Sequence, residues 1–483
     1  MKSNTRNEYQ QQAIFCLLFL LICRLLAMYF IPLNDSTEAR YAEIARKMLE
    51  TNNWITPFHD YGVPFWAKPP LSTWLSAFFM KGFGVSAFVA RLPSLLFSIG
   101  LLWLVFGITK KRADTDLALT AVLILASSLA FMVNAGAVMT DPSLLFSTTL
   151  AFIAFWNAMA SMKKSWGMVF FLSLGLGLLA KGPVVIILTG IPIFCWVVLN
   201  KQWRKLWQCL PWFTGIPLML LVALPWYLIA ETRTPGFLNY FIMGEHLGRF
   251  FVTQWQGDKY GFAHAAPYGM IIGYACLGIL PWTFHVGYGL TYHFKKITSL
   301  YKDHDGWMSY WLCCALAPLV FFCFAKNVIW PYVLPSLPPF AILFAIYAKE
   351  LKCPHTLLIA ATSGVFILVA TGLFIIKPEI ILRSQLPVIL AWQHQHPKPT
   401  APLVYLENRS TPIPSAQFYA NGHVMTAATI PALSTMLDIY PINYIVVDST
   451  YPFAIPNKLK QHLTLVKTIP VSNVNYLLYR YQY

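Results

Sequence analysis

Residues 14–43 read IFCLLFLLICRLLAMYFIPLNDSTEARYAE. From Ile14 to Ile31 the run is apolar apart from Arg24, and a hydrocarbon layer needs about 20 such residues to be crossed by a helix. Immediately afterwards come Asp35, Glu38, Arg40, Tyr41 and Glu43. The step from oil to dense charge sets two questions: how often the apolar pattern recurs, and why charge is concentrated where it stops.

The pattern recurs along most of the chain. Ordinary globular domains carry about a quarter charged residues. Here 483 residues include only 11% charged and 57% hydrophobic ones, and the mean hydropathy is +0.56. Repeated apolar runs of about 17 to 23 residues exclude a soluble protein with an unusually oily core and indicate a polytopic α-helical membrane protein. The net charge of +16 invites a nucleic-acid reading, but its distribution opposes one. Lys110-Lys111-Arg112, Lys163-Lys164, Lys201 with Arg204-Lys205, Lys295-Lys296 and Lys349 with Lys352 each occupy a short break between apolar runs, and the alternate breaks lack such clusters. That is the positive-inside pattern of membrane topology. The nine cysteines follow the oily segments and show no CxxC or disulfide spacing, so they read as small buried hydrophobes.

About eleven spans are expected, near 13–32, 85–109, 116–133, 143–161, 167–181, 183–200, 209–230, 267–290, 307–325, 330–348 and 355–376. The first is too long, and too lacking in a small-residue cleavage site, for a signal peptide. With the N-terminus inside, every basic cluster falls on the cytoplasmic side. The membrane domain then covers 1–377, with outer loops at 33–84 and 231–266. In the first loop, EARYAEIARKMLE has helical spacing of apolar residues and suits an amphipathic helix lying along the membrane. Residues 378–483 change character, with β-like runs at 442–448, 463–469 and 475–481 and a helix-like IPALSTMLDIY; they suit a small external α/β domain.

Charge at span ends facing one side marks a candidate site. The outer face gathers Asp35, Glu38, Arg40 and Glu43 from the first loop, with Lys68 of FWAKPP, Asp141 of VMTDP and Lys181 of LLAKGP. Glu245, His246 and Arg249 of GEHLGRF and Lys326 and Tyr332 of AKNVIWPYVLP complete it. Singly, each has a structural use. Arg40 and Glu43 make a surface pair, Lys181 an interfacial anchor, and Asp141 before Pro142 a helix cap. Together, on one face, they suit the handling of an anionic group at headgroup level.

The stretch DSTEARYAEIARKMLETNNWITP, followed in order by AKPPLSTWLSA, ARLPSLLF, MTDP, GLGLLAKGP and EHLGRF, resembles the GT-C membrane glycosyltransferases. The branch is the bacterial one that holds the aminoarabinose transferases and relatives of the protein O-mannosyltransferases. The resemblance spans roughly residues 30–340 and does not extend to the tail. It implies a sugar donor on a polyprenyl (undecaprenyl) phosphate and transfer on the periplasmic side of a bacterial inner membrane. Arg40, Lys181 and Arg249 match phosphate-facing positions of the family, and Lys68 matches its lysine. Tyr41, Glu245, His246, Lys326 and Tyr332 are expected to contact substrate. Asp35, Glu38 and Asp141 are the expected catalytic carboxylates, one of them taking the acceptor proton, while the cations stabilise the departing phosphate.

Two departures stand out. Where relatives read Asp-Glu-Ala-Arg this chain has Thr37-Glu38-Ala39-Arg40, with the acid at Asp35, so Asp35 is favoured as base over Glu38. Where relatives read Phe-Glu-Lys-Pro and His-Glu-His it has Trp66-Ala67-Lys68-Pro69 and Gly244-Glu245-His246. Ala67 and Gly244 replace two metal-ligand types, so metal-independent chemistry without a cofactor is expected. The acceptor is expected to be lipid A, lipopolysaccharide or another envelope glycan, and the chain a monomer without nucleic-acid partners. The competing readings are a protein O-glycosyltransferase acting on Ser/Thr and, from another class, a flippase or transporter of lipid-linked sugars. The latter usually carries inverted repeats and midplane charges, and neither is evident here.

Overall fold

The computed structural model describes residues 2–261, 264–292, 305–351, 383–395, 401–408, 412–451 and 455–482. The chain divides into two compact units. The first comprises 1–27, 64–75 and 91–369; the second comprises 28–63, 76–90 and 370–483. The span expected near 355–376, the Lys295-Lys296 pair and the expected boundary at 378 lie outside the described residues.

The first unit is a helical bundle. Among the described residues, five helices are long and apolar enough to cross a membrane: Asn7–Phe30, Ala87–Arg112, Asp141–Ser161, Trp212–Arg233 and Trp330–Glu350. Thr115–Ser127, Val184–Leu199 and Trp307–Cys323 are shorter apolar helices. The chain is a multi-pass helical membrane protein. Two expected spans are broken rather than continuous. The run at 267–290 is a pair, Met270–Gly278 and Trp282–Gly289, bent by 111°. Pro281 explains the break, because it has no N–H to continue the helical ladder. The run at 116–133 divides at Ser128 into Thr115–Ser127 and Leu129–Asn134. Small residues let the helices approach closely. A Cβ on Gly215 would lie 2.0 Å from the Phe171 ring, so the helices Lys164–Lys181 and Trp212–Arg233 meet through that glycine.

At one end of the bundle the expected cytoplasmic breaks meet. Arg112 pairs with Asp305 (2.5 Å), Lys349 with Asp114 (2.7 Å), and Gln10 donates to Asp116 (2.6 Å). The N-terminal helix is thereby tied to the helix Thr115–Ser127, which the Asp114 side chain caps by accepting from the Leu117 N–H.

The second unit holds a five-stranded sheet: β3 (Leu403–Leu406), β4 (Val424–Ala427), β5 (Tyr444–Asp448), β6 (Leu463–Val471) and β7 (Val474–Tyr481), ordered β4-β3-β5-β7-β6. Strands β4, β3 and β5 run parallel, and the hairpin β6–β7 is added antiparallel. Strand alternation sends Leu403 and Tyr405 to one buried face, Val404 and Leu406 to the other. Two-sided burial explains why β3 and β5 read as unbroken apolar runs. This unit also contains a short hairpin, β1 (Phe58–Asp60) with β2 (Val63–Pro64), and the first-loop helix Thr37–Thr51.

That helix differs from the expected surface-lying one. It is helical where expected, but Tyr41, Glu43, Ile44, Arg46, Lys47 and Met48 are all buried. Glu43 pairs with Arg46 (2.7 and 2.8 Å), not with Arg40, and Lys47 pairs with Asp60 at 3.0 Å. Charges that hydropathy assigns to a wet face are internal because each finds an opposite charge.

Candidate active site

The centre of the first unit's site is a helical hairpin. Asp141 opens the helix Asp141–Ser161, and Lys181 closes its antiparallel partner Lys164–Lys181. A carboxylate at a helix start and an ammonium at a helix end both suit the helix dipole. The hairpin puts them face to face: Lys181 Nζ lies 2.6 Å from Asp141 Oδ1 and 4.9 Å from the centre of the Tyr332 ring. Gly182 follows at φ +88°, and a Cβ there would come within 2.5 Å of Phe241, so only glycine serves the turn.

A second cation cluster grows from the segment Tyr240–Gly248, which is a π-helix, a form that often marks functional sites. Lys68 Nζ lies 2.7 Å from Glu245 Oε2, and Arg249 Nη1 lies 3.5 Å from the same oxygen. Glu245 Oε1 accepts from the Tyr240 hydroxyl at 3.2 Å. Arg249 also pairs with Asp258, and burial alone would depress its guanidinium, but Glu245 and Asp258 hold it charged. His246 donates through Nδ1 to the Phe241 carbonyl at 2.8 Å. Burial lowers the pKa of its imidazole, with the Lys68 charge adding to that and the Phe241 hydrogen bond opposing it. Asn327 ties the clusters to the bundle by donating to the Arg249 and Val252 carbonyls at 2.6 and 2.7 Å.

These groups line one cavity of about 210 Å³. Its polar side is Lys68, Asp141, Lys181, Glu245, His246, Arg249, Asn327 and Tyr332. Its remaining wall is apolar, with Leu144, Val184, Ile187, Leu188, Leu247, Phe250, Phe251, Phe321 and Phe322. The lining thus combines cations suited to an anion with apolar side chains suited to hydrocarbon. Lys326 lies outside this lining, its ammonium 4.1 Å from the Tyr268 ring. Among the described residues no three His, Cys, Asp or Glu side chains gather closely enough to hold a metal ion. Where relatives carry the two other ligand types, the structure has the Ala67 carbonyl accepting from Lys68 (2.7 Å) and Gly244 packed beneath Trp255.

The first-loop candidates belong to the second unit. Asp35 accepts from the Ser415 N–H (3.0 Å) and from the Ser415 hydroxyl. Glu38 reaches back to the Asn34 N–H at 3.4 Å. Arg40 lines a small polar cleft with Glu43, Lys47, His59, Asp60 and Gln417, and its guanidinium lies 5.8 Å from the ring of the buried Tyr41. Asp258, Tyr240 and Asn327 were not singled out by sequence reasoning. Their signal was local: Asp258 stands in the polar turn WQGDKYG of the same outer loop, and Asn327 directly follows Lys326.

The first unit is thus a polytopic bundle whose cavity combines charged and apolar side chains. The family model for dolichyl-phosphate-mannose-protein mannosyltransferase matches residues 14–241. An undecaprenyl phosphate-α-4-amino-4-deoxy-L-arabinose arabinosyl transferase of Enterobacter sp. is 30% identical over 72% of this chain, and one of Shewanella sediminis is 31% identical over 69%. The chain spans about 60% of the length of these relatives, 61% and 59% respectively. The crystal structure of ArnT from Cupriavidus metallidurans bound to undecaprenyl phosphate superposes with a TM-score of 0.71 at 17% identity, covering 97% of each chain. Over these stretches the chain is similar to the aminoarabinose transferases among the membrane glycosyltransferases, and it shares the fold of ArnT.

Proposed function

We propose that the protein moves a sugar from a polyprenyl phosphate, most simply undecaprenyl phosphate, to lipid A or another envelope glycan on the periplasmic face of the inner membrane. The observation that carries this reading is the cavity in which Lys68, Lys181 and Arg249 face an apolar wall. Three cations suit a phosphate, and the wall suits the first isoprene units. The relatives' names add the donor class.

In this reading the acceptor hydroxyl attacks the anomeric carbon, passing its proton to a carboxylate of the site, and the sugar–phosphate bond breaks. Polyprenyl phosphate leaves with the bonding pair, its new charge stabilised by Lys68, Lys181 and Arg249. Each of these cations rests on a carboxylate, Lys181 on Asp141, Lys68 and Arg249 on Glu245. Phosphate binding therefore exchanges one anion for another, which frees Asp141 or Glu245 to engage the sugar or the acceptor. Asp141 is the proposed carboxylate beside the reaction centre, and Arg40 is a proposed phosphate contact. Glu38 is a further candidate catalytic carboxylate, and Tyr41, His246 and Lys326 are proposed substrate contacts.

The proposed topology has about eleven spans with residues 378–483 as a periplasmic domain. Its support is the joining of the basic breaks at one end of the bundle and of the acidic and basic outer loops in the cavity. The test is mass spectrometry of lipid A and polyprenyl phosphates from cells with and without the protein. A sugar-sized increment on an envelope lipid that appears only with the protein, and is lost with Lys181→Met, is expected. Unchanged lipids in both strains, with a new sugar on periplasmic protein instead, would move the acceptor to Ser/Thr.

A further inference from the structure

The start of the first-loop helix hangs from the C-terminal α/β segment by a set of hydrogen bonds within the second unit. The Leu33 N–H donates to the Tyr419 hydroxyl (2.7 Å), the Arg383 N–H to Asn34 Oδ1 (2.8 Å), and the Asp35 N–H to the Arg383 carbonyl (3.0 Å). Asp35 adds its side chain. One oxygen accepts from the Ser415 N–H and the other from the Ser415 hydroxyl, and Ser415 is fully buried. The next turn is built on this support: the Ala39 N–H donates to the Asn34 carbonyl (3.2 Å) and the Arg40 N–H to the Ser36 carbonyl (3.3 Å). Arg40 therefore takes its backbone position from residues that the C-terminal segment holds. A general base must direct an oxygen at the proton it removes, whereas both oxygens of Asp35 are directed at Ser415.

We propose that Asp35 is a positioning residue. By binding Ser415 it fixes the start of the helix Thr37–Thr51, and so Arg40, and it takes no proton from the acceptor. This makes Arg383, Ser415 and Tyr419 a working part of donor recognition, and it rests on the transferase reading above for the role of Arg40. Chemistry separates the two roles for Asp35. An asparagine keeps an oxygen for the Ser415 N–H and an amide that donates to the Ser415 hydroxyl, but it cannot act as a base.

The full-length purified chain decides, through amide hydrogen exchange over 33–41, affinity for undecaprenyl phosphate, and the envelope-lipid increment in cells. Asp35→Asn should leave all three near those of the unsubstituted chain. Asp35→Ala and Ser415→Ala should speed exchange over 33–41 and weaken undecaprenyl phosphate binding about tenfold, the size of a lost charge-assisted bond. Should Asp35→Ala fail to fold, Ser415→Ala and Asp35→Asn carry the comparison. An Asp35→Asn chain that binds undecaprenyl phosphate, exchanges normally and makes no product would overturn the proposal in favour of a base. Exchange unaltered in Ser415→Ala and Asp35→Ala would overturn it as well. If the unsubstituted chain neither binds undecaprenyl phosphate nor alters any lipid, the transferase reading fails, while the exchange data still decide whether Asp35 sets the helix start.

Discussion

Lys181 and Asp141 have side chains only 11% and 7% exposed, so the desolvation of each is offset by its contact with the other. Removing one partner of a buried pair costs about 3–5 kcal/mol, whereas replacing both by apolar groups is often neutral. Lys181→Met should lower the thermal unfolding temperature in detergent, and Lys181→Met/Asp141→Leu should restore it without restoring transfer. If the double variant regained activity, the pair would be structural only. His59 is a second residue with a measurable consequence. Burial, helped by the charges of Arg40 and Lys47, holds its imidazole at about 4 against the usual 6.5. Between those values the folded chain binds fewer protons than the unfolded one, so stability rises with pH over that interval and falls on acidification. His59→Gln should flatten the dependence of unfolding temperature on pH between 4 and 6.5. A slope unchanged by that substitution would assign the acid sensitivity to another group.

At the scale of elements, the π-helix Tyr240–Gly248 is shaped by what lies on it. Trp255 packs against Gly244 and Gly248, and a Cβ on Gly244 would approach its ring to 2.7 Å. The loop that carries Asp258 to Arg249 is thus seated by an indole lying on glycine. Gly244→Ala should destabilise by about 1–3 kcal/mol through overpacking and open the 249–261 loop to proteolysis. Gly244→Ala/Trp255→Leu should recover part of that loss, and a double variant no better than the single would show that the ring is not the obstacle. Periodicity located the helices Asp141–Ser161 and Lys164–Lys181 closely, because apolar runs ended by Asp-Pro and Lys-Gly-Pro carry their own boundaries. It did not foresee the π-helix or the 111° bend after Gly278, which depend on what packs against the chain at those points.

For the whole molecule, the proposed topology puts the α/β sheet and the basic breaks on opposite sides of the membrane. In a cysteine-free background, Lys467→Cys on the exposed strand β6 should react with an impermeant maleimide in outer-membrane-permeabilised cells. Lys163→Cys, exposed between two helices, should react only after lysis. Labelling of both in intact spheroplasts would refute the assignment. The multi-pass helical class was legible in the sequence by itself, because a hydrocarbon layer demands long uncharged runs and leaves little freedom in how they are used. So were the charged residues of the cavity as a set: charge is costly near the membrane, and Lys68, Asp141, Lys181, Glu245 and Arg249 stand out together at span ends although each alone has a structural use. Which charge meets which was decided only by the tertiary structure. Lys68 and Glu245 are 177 residues apart in the sequence and yet lie 2.7 Å apart, and Asp35 meets Ser415, 380 residues further on. Glu43, Arg46 and Lys47 read as a wet helix face and are buried, because the desolvation of a charge is offset only by partners whose positions the folded chain sets.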